Sequence, residues 1–346
     1  MANVPNQGGP RDVVVFYVEE EPYLGHPSSE ETVVREQALI SAIVGFWHQV
    51  ERETLDRLKP FGATTDETIE KAARIADRAG ARLVGLFHNL LYGKTAWSRG
   101  VVKDLLSDFD AQVRLIEDIG RTGLKYGYAE VNIDVEHVDP AMRDAFSGFV
   151  ERLAERLHQV GLEVSISVPA KTWDDPEHGW SGGFDYVRIG KAVDRVYVMT
   201  YDEHGYSSGP GPIASSGWVE SVIQYAVSVI PSKKVYVGIP GYGFDWTEGE
   251  RPRYISYAQA IAIAQAHGAK VVRDEESKTP TFTYTHNGAK HEVWFEDAES
   301  SAIKLDLVER YDLGGIALWR AGLEDPMLWR MIERRFDVRK LEPHPS

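Results

Sequence analysis

Eight short runs rich in β-branched and aromatic residues recur along the chain, and each is followed by a segment with helical periodicity. Strands that alternate with helices in this way imply parallel strands joined by helical crossovers. Eight such units in 346 residues predict an α/β fold, a closed (β/α)8 TIM barrel. The runs are Val13–Val18, Ile40–Trp47, Arg82–His88, Ala129–Glu136, Glu163–Pro169, Arg195–Tyr201, Lys234–Pro240 and Gly314–Trp319.

The spacing of the last two runs predicts an insertion. About 70 residues separate them, where a barrel of average length has about 30–40. Within this segment, Thr281–Tyr284 and Glu292–Phe295 flank an Asn287-Gly288 pair, which is a strong signal for a tight β-hairpin. We therefore expect a small α+β insertion on the carboxyl-terminal rim. The predicted boundaries are 12–336 for the barrel, about 246–297 for the insertion, and 1–11 and 337–346 for the tails.

Composition and charge argue against several classes of partner. The chain has no cysteine, which excludes a disulfide framework and thiolate metal sites. Its formal net charge of −15 argues against nucleic acid, because binding to phosphates requires clustered Lys and Arg. No apolar stretch is long enough to span a bilayer, and Met1–Arg11 lacks the pattern of a signal peptide. We expect a monomer that binds neither nucleic acid nor membrane.

The fourth run carries the strongest chemical signal, Asn132-Ile133-Asp134-Val135-Glu136. Side chains alternate between the two faces of a strand, so Asn132, Asp134 and Glu136 share one face and the apolar residues share the other. Buried carboxylates cost several kcal/mol each unless they are paired or neutralised. Glu136 falls at the carboxyl end of the strand, where barrel enzymes place catalytic groups. Asp134 is close enough to raise the proton affinity of Glu136, as a general acid requires.

With this motif, the sequence resembles glycoside hydrolase family 18, the chitinase-like barrels, whose fourth strand has the pattern Asp-Gly-x-Asp-x-Asp-x-Glu. It most resembles the bacterial spore cortex-lytic branch, in which Asn replaces the second Asp, as Asn132 does here. The resemblance extends from Val13 to about Leu323. The other matching motifs are Met199-Thr200-Tyr201-Asp202, Gly238-Ile239-Pro240-Gly241-Tyr242-Gly243, Val293-Trp294-Phe295-Glu296-Asp297 with Ser300 and Lys304, and Trp319.

The resemblance implies a retaining mechanism in which the acetamido group of the substrate is the nucleophile. It implies that Glu136 protonates the glycosidic oxygen and that Asp134 orients the acetamide. Tyr201 is then expected to bind the acetamide oxygen, Asp202 to hold the distorted sugar ring, and Trp319 to form the floor beneath it. The remaining predicted substrate-binding residues are Asn132, Met199, Tyr242, His88 and Asn89. His88 is expected to be a polar wall of the cleft or, alternatively, a histidine satisfied within the fold.

The chain departs from the family pattern in three places. Ala129-Glu130 replaces the Asp-Gly that opens the fourth-strand pattern, which affects the packing of the barrel floor more than proton transfer. Asn132 cannot take up charge, which weakens any proton shuttle from Asp134 toward the barrel interior. The third run lacks the family's Ser-x-Gly-Gly and ends in His88-Asn89.

Other side chains near the strand ends are of types that bind metal ions or stack on sugars. His48, His88 and His137 form no His-x-His pair on one strand, so we predict no metal and no cofactor. Tryptophan faces stack on sugar rings, and a set of them at the rim suits a carbohydrate groove. This set is Trp47, Trp97, Trp173, Trp246 and Trp319.

We therefore predict a hydrolase of β-1,4-linked N-acetylglucosamine glycans, either peptidoglycan of the spore cortex or cell wall, or chitin. Such a substrate implies a spore-associated or secreted protein. The first alternative is a chitinase-like lectin that binds glycan without cutting it, although such proteins usually lose the acid. The second is an endo-acting enzyme on N-glycans, with the same chemistry and a different groove.

Overall fold

All eight runs form strands of one closed parallel barrel. The computed structural model describes residues 9–19, 25–89 and 99–341. The barrel strands are β1 Asp12–Tyr17, β2 Ala42–Val50, β4 Arg82–His88, β5 Glu130–Asp134, β6 Glu163–Pro169, β7 Arg195–Met199, β8 Val235–Pro240 and β14 Gly315–Trp319. They follow the order β1, β14, β8, β7, β6, β5, β4 and β2, and β2 pairs with β1 to close the sheet.

One further strand, β3 (Leu58–Pro60), was not predicted. It pairs antiparallel with the last three residues of β2, which runs past Trp47 to Val50 after a register shift between Gly45 and His48. A three-residue strand has too little periodicity to be recognised in the sequence.

Helices surround the barrel and cover the outer faces of its strands. Within the residues that the structure describes, no helix is both long and apolar enough to cross a bilayer. The helices are α1 Glu30–Arg35, α2 Asp66–Ala79, α3 Arg99–Ser107, α4 Phe109–Tyr126, α5 Arg143–Gln159, α6 Tyr186–Ala192, α7 Ser216–Val229, α8 Tyr257–Ala266, α9 Ala298–Arg310 and α10 Met327–Arg335.

The strands bury both faces in two separate apolar layers. Val13 and Val15 of β1 join the large core between strands and helices, whereas Val14 and Phe16 point into the barrel interior. Trp47 belongs to the outer core, where it is fully buried and stacks on Tyr128 at a centroid distance of 6.2 Å. The prediction that Trp47 lies on the sugar-binding rim is therefore wrong, because the pleat of β2 turns this side chain toward the helices.

The floor of the barrel is a buried ion network centred on Glu130. Its carboxylate is fully buried and accepts hydrogen bonds from Arg195 (2.8 Å) and the hydroxyl of Tyr197 (2.7 Å). Arg82 lies 3.4 Å from the same carboxylate and 2.9 Å from Asp12. Two acids and two guanidinium groups thus balance each other, as a charge network out of contact with water requires. The departure from Asp-Gly is accommodated by basic partners on β4 and β7.

The segment between β8 and β14 forms the expected α+β insertion. Its antiparallel sheet follows the order β10, β9, β13, β12 and β11, and it begins at Tyr242, directly after the barrel strand. Asn287 and Gly288 form the predicted hairpin turn, both with positive φ. The strands are β9 Tyr242–Thr247, β10 Arg253–Ser256, β11 Val272–Arg273, β12 Pro280–His286 and β13 Ala289–Phe295.

A buried ion pair joins the insertion to the barrel. Glu296, directly after β13, accepts hydrogen bonds from Lys304 (2.7 Å) and Ser300 (2.6 Å) on α9. Both Glu296 and Lys304 are almost completely buried. The matching motif at the return from the insertion therefore positions this sheet on the rim of the barrel.

Candidate active site

The two acids of the fourth barrel strand, β5, lie at its carboxyl end. Asp134 is the last residue of β5 and is buried, and Glu136 follows in the loop and is half-buried. The residues that alternate with them, Ile133 and Val135, belong to the outer core. The alternation of faces predicted from the sequence is therefore observed, and the acids face the mouth of the barrel.

Hydroxyl and amide groups support Asp134 from inside the barrel. The amide of Asn132 donates a hydrogen bond to Ser165 (2.9 Å), and Ser167 donates one to the amide oxygen of Asn132 (3.2 Å). Ser167 also bonds the side chain of Asp134. Asn132 is completely buried below Asp134. The prediction that Asn132 contacts substrate is therefore wrong, since its side chain belongs to the layer that orients Asp134.

The environment of both acids favours their protonated forms. Burial raises the pKa of Asp134 to about 7, although the hydrogen bond from Ser167 partly opposes this. The pKa of Glu136 is raised well above its usual value, first by burial and then by the negative charges of Asp134 and Asp202. Because each charge disfavours the other, the pair retains a proton near neutral pH, which suits Glu136 to general acid catalysis.

This proton retention predicts a pH-dependent stability. A carboxyl whose pKa is higher in the folded state than in the unfolded state binds extra protons on folding, so its contribution falls as pH rises from about 4 to about 7. Relative to wild type, we expect Asp134→Asn to raise the free energy of unfolding at pH 8 by roughly 1–3 kcal/mol more than at pH 4.5. Urea denaturation at both pH values measures this difference.

The control is Asp306→Asn, which removes an aspartate that is half exposed and pairs with Arg335 on the barrel surface. It should produce no such gain at pH 8. An equal effect of Asp134→Asn at both pH values would show that Asp134 carries no folding-dependent proton.

Tyr201 and Asp202 follow the sixth barrel strand, β7, and face the same acids. Burial, and then the negative charges of Asp134, Glu136 and Asp202, raise the pKa of Tyr201 well above its usual value, so its hydroxyl remains a neutral donor. Asp202 has a left-handed backbone with φ of 57°, and its carboxylate accepts a 2.6 Å hydrogen bond from Tyr242. Tyr242 is buried and therefore acts through Asp202.

Asp202 is exposed at the cleft, but its carboxyl has a raised pKa. Its side chain is exposed at the cleft, yet the protein atoms around it raise its pKa to about 6, an effect that the Tyr242 hydroxyl partly offsets. Solvent in the cleft limits this shift, so Asp202 is the acid of the group that most readily carries charge at neutral pH.

Trp319 forms the apolar side of the cleft. It ends β14, is half-buried, and meets the rings of Phe16 and Phe46 edge-on at 5.2 and 5.6 Å. Met199, at the end of β7, is also partly exposed. The indole is thus held by two buried rings of the barrel interior, and it also packs against the apolar cluster of the insertion.

Two predicted substrate-binding residues have other positions. His88 is completely buried and stacks on Phe46 at 4.1 Å, with Phe61 edge-on at 4.5 Å. It therefore lies under the cleft, and the prediction of a polar wall is wrong. Asn89 donates a hydrogen bond to the backbone oxygen of Glu136 (2.8 Å) and accepts one from its backbone nitrogen (3.1 Å). This buried amide is a positioning residue for Glu136, not a group that contacts substrate.

The profile of glycosyl hydrolases family 18 matches residues 93–324. The chain belongs to this family. The cortical fragment-lytic enzyme of Bacillus subtilis (strain 168) is 36% identical over 252 residues, a match that covers 71% of this chain and 58% of that protein. The chain thus spans less than two thirds of the length of this relative.

Solved structures agree with the family assignment. The spore cortex-lytic enzyme SleL of Bacillus cereus superposes with a TM-score of 0.86 at 28% identity, covering 97% of this chain and 76% of that one. A chitinase from Chromobacterium violaceum ATCC 12472 superposes with a TM-score of 0.84 at 26% identity, covering 95% and 100%. The family 18 barrel therefore accounts for nearly the whole chain.

One contact beside Glu136, between His137 and Trp180, was not predicted from the sequence. His137, directly after Glu136, has a left-handed backbone with φ of 58°, and its ring meets Trp180 edge-on at 4.7 Å. Trp180 lies in the loop after β6, and the neighbouring Gly179 oxygen accepts a hydrogen bond from Arg99 (3.0 Å). The sequence contained the aromatic pair but no signal for its contact, which joins two loops.

The remaining tryptophans of the predicted groove are spread over different environments. Trp246 lies on the insertion sheet at the rim, but it is buried in the apolar cluster between this sheet and the barrel, so the prediction that its face lines a sugar groove is wrong. Trp173, after β6, is 67% exposed. Trp97 lies outside the described residues.

Among residues 9–19, 25–89 and 99–341, no group of three or more His, Asp and Glu side chains is placed to hold a metal ion.

Proposed function

We propose that this chain hydrolyses β-1,4-linked N-acetylglucosamine glycans by the retaining, substrate-assisted mechanism, with peptidoglycan of the spore cortex or cell wall as its substrate. The convergence of Asp134, Glu136, Tyr201 and Asp202 at the carboxyl end of a family 18 barrel carries this proposal. The cortical fragment-lytic and spore cortex-lytic relatives favour peptidoglycan, and the chitinase makes chitin the nearest alternative.

In the proposed first step, the protonated carboxyl of Glu136 donates its proton to the glycosidic oxygen as the bond to the anomeric carbon breaks. The acetamide oxygen of the same sugar attacks that carbon and forms an oxazolinium ion, with Asp134 beside the acetamide nitrogen. Tyr201 donates a hydrogen bond to the acetamide oxygen, since its raised pKa keeps the hydroxyl protonated.

In the proposed second step, the Glu136 carboxylate takes a proton from water, which opens the oxazolinium ion with net retention at the anomeric carbon. Asp202, held by Tyr242, positions the distorted sugar ring, and Trp319 stacks against it. The support for these roles is that each group lies at the open end of the barrel. We also propose that 12–336 is the catalytic unit and that it acts as a monomer.

Product analysis tests the proposal. Spore cortex peptidoglycan, vegetative peptidoglycan and chitin are incubated in parallel with the protein, and soluble products are identified by mass spectrometry. We expect fragments with N-acetylglucosamine at the new reducing end, most abundant from one of the two peptidoglycans. Binding without products would identify a lectin. Products only from N-linked glycans, included as a fourth substrate, would identify the other alternative.

A further inference from the structure

Two loops of the rim meet at a stacked cation. Tyr206 lies in the loop 200–215 after β7, and Arg251 lies in the turn 248–252 between β9 and β10 of the insertion. The guanidinium carbon of Arg251 is 4.0 Å from the centroid of the Tyr206 ring. The ring of Tyr206 in turn meets Phe244 edge-on at 4.9 Å. The Arg251–Tyr206 pair is therefore supported by the insertion sheet.

The pair lies beside the candidate active site. Gly205, the neighbour of Tyr206, sits between Asp202 and Phe244. A Cβ atom on Gly205 would be 3.6 Å from the Asp202 carboxyl carbon and 3.4 Å from the Phe244 ring. The loop therefore passes within van der Waals distance of both Asp202 and Phe244. Tyr206 thus continues directly from the wall of the cleft.

Arg251 has no acidic partner within the described part of the chain. Its side chain is exposed, and no carboxylate oxygen there lies within 4.0 Å of its guanidinium, although Glu248 and Glu250 are close in sequence. Arg253, two residues on, by contrast lies 3.1 Å from Asp245. In a chain with a net charge of −15, an arginine held at the rim without a carboxylate is available for an external anion.

We propose that Arg251, stacked on Tyr206, binds a carboxylate carried by the glycan and so selects acidic peptidoglycan over neutral chitin. This inference rests on the proposed function. A guanidinium forms two parallel hydrogen bonds to a carboxylate, and stacking on an aromatic ring fixes its plane and leaves its edges open. Peptidoglycan carries carboxylates on its stem peptides and on lactyl groups that bear no peptide, whereas chitin carries none. The positive charge of Arg251 also offsets the repulsion between an acidic glycan and the carboxylates of the cleft.

The test measures binding to the uncleaving Glu136→Gln protein, which separates recognition from turnover. Isothermal titration calorimetry compares a peptidoglycan fragment that retains its carboxylates with a chito-oligosaccharide of equal sugar number. We expect Arg251→Gln to weaken binding of the peptidoglycan fragment about tenfold and to change binding of the chito-oligosaccharide less than about twofold. Arg251→Lys, which keeps the charge and loses the planar fork, should show an intermediate loss.

The matched control is Arg310→Gln, which removes an exposed arginine that pairs with Glu220 away from the cleft. It should leave both affinities unchanged. An equal loss for both glycans on Arg251→Gln would make the pair a structural clamp and overturn the inference, as would no loss for either. If the Glu136→Gln protein binds neither glycan, the proposed function itself fails. Thermal melting of each variant confirms that it is folded.

Discussion

The Glu136→Gln protein is expected to lose about 10²–10⁴-fold in kcat while it retains its fold and its affinity for glycan. The amide has the shape of the protonated carboxyl, and the raised pKa of Glu136 means that the folded protein already favours this uncharged form. The substitution therefore removes the transferable proton with little change in packing. Steady-state release of reducing ends, together with calorimetric binding, measures both effects.

The control for this prediction is Glu220→Gln, which changes a carboxylate on α7 that pairs with Arg310. Its kcat should equal that of wild type. If Glu136→Gln retained activity within a few-fold of wild type, Glu136 would not be the general acid. If it lost affinity and turnover together, Glu136 would be a substrate-binding group instead.

The Glu130→Ala protein is expected to lose about 3–5 kcal/mol of unfolding free energy. Glu130 is the shared partner of Arg195 and the Tyr197 hydroxyl, and Arg82 lies 3.4 Å away. Removing its carboxylate leaves the guanidinium groups of Arg82 and Arg195 with Asp12 as the one buried acid beside them among the described residues. Equilibrium denaturation in urea at neutral pH measures the loss.

A matched control is available on the neighbouring strand. Glu163 lies 2.8 Å from the same Arg195 nitrogen, but its side chain is 46% exposed. Because solvent replaces its charge, Glu163→Gln should cost less than about 1 kcal/mol. A loss below 1 kcal/mol for Glu130→Ala as well would show that the floor network contributes little to stability and that water or neighbouring groups compensate for it.

The barrel itself was predictable because its information is local. Each strand run is apolar and β-branched, and the count and order of runs leave few topologies other than a closed parallel sheet. The orientation of Asp134 and Glu136 was predictable for the same reason, since the twofold repeat of a strand fixes which residues share a face. The Asn287-Gly288 hairpin is a third local signal.

The errors concern residues whose role depends on another strand or loop. His88 and Asn132 have the composition of ligands, but neighbouring strands and rings enclose them. Asn89 has the hydrogen-bonding capacity to bind a sugar, yet both of its polar atoms are taken by the backbone of Glu136. Nothing in the local sequence shows that Asn89 forms hydrogen bonds with a residue 47 positions later.

The fold class, the shared face of the two acids and their place at the carboxyl end of the fourth strand follow from the order of residues, because periodicity and order are properties of the chain. Which polar groups remain available depends on contacts between distant segments. The tertiary structure encloses Asn132 and His88, assigns Asn89 to Glu136, neutralises Glu130 with Arg195 and leaves Arg251 at the rim. The physical reason is that burial, pKa and hydrogen-bond satisfaction depend on neighbours that only folding brings within a few ångströms.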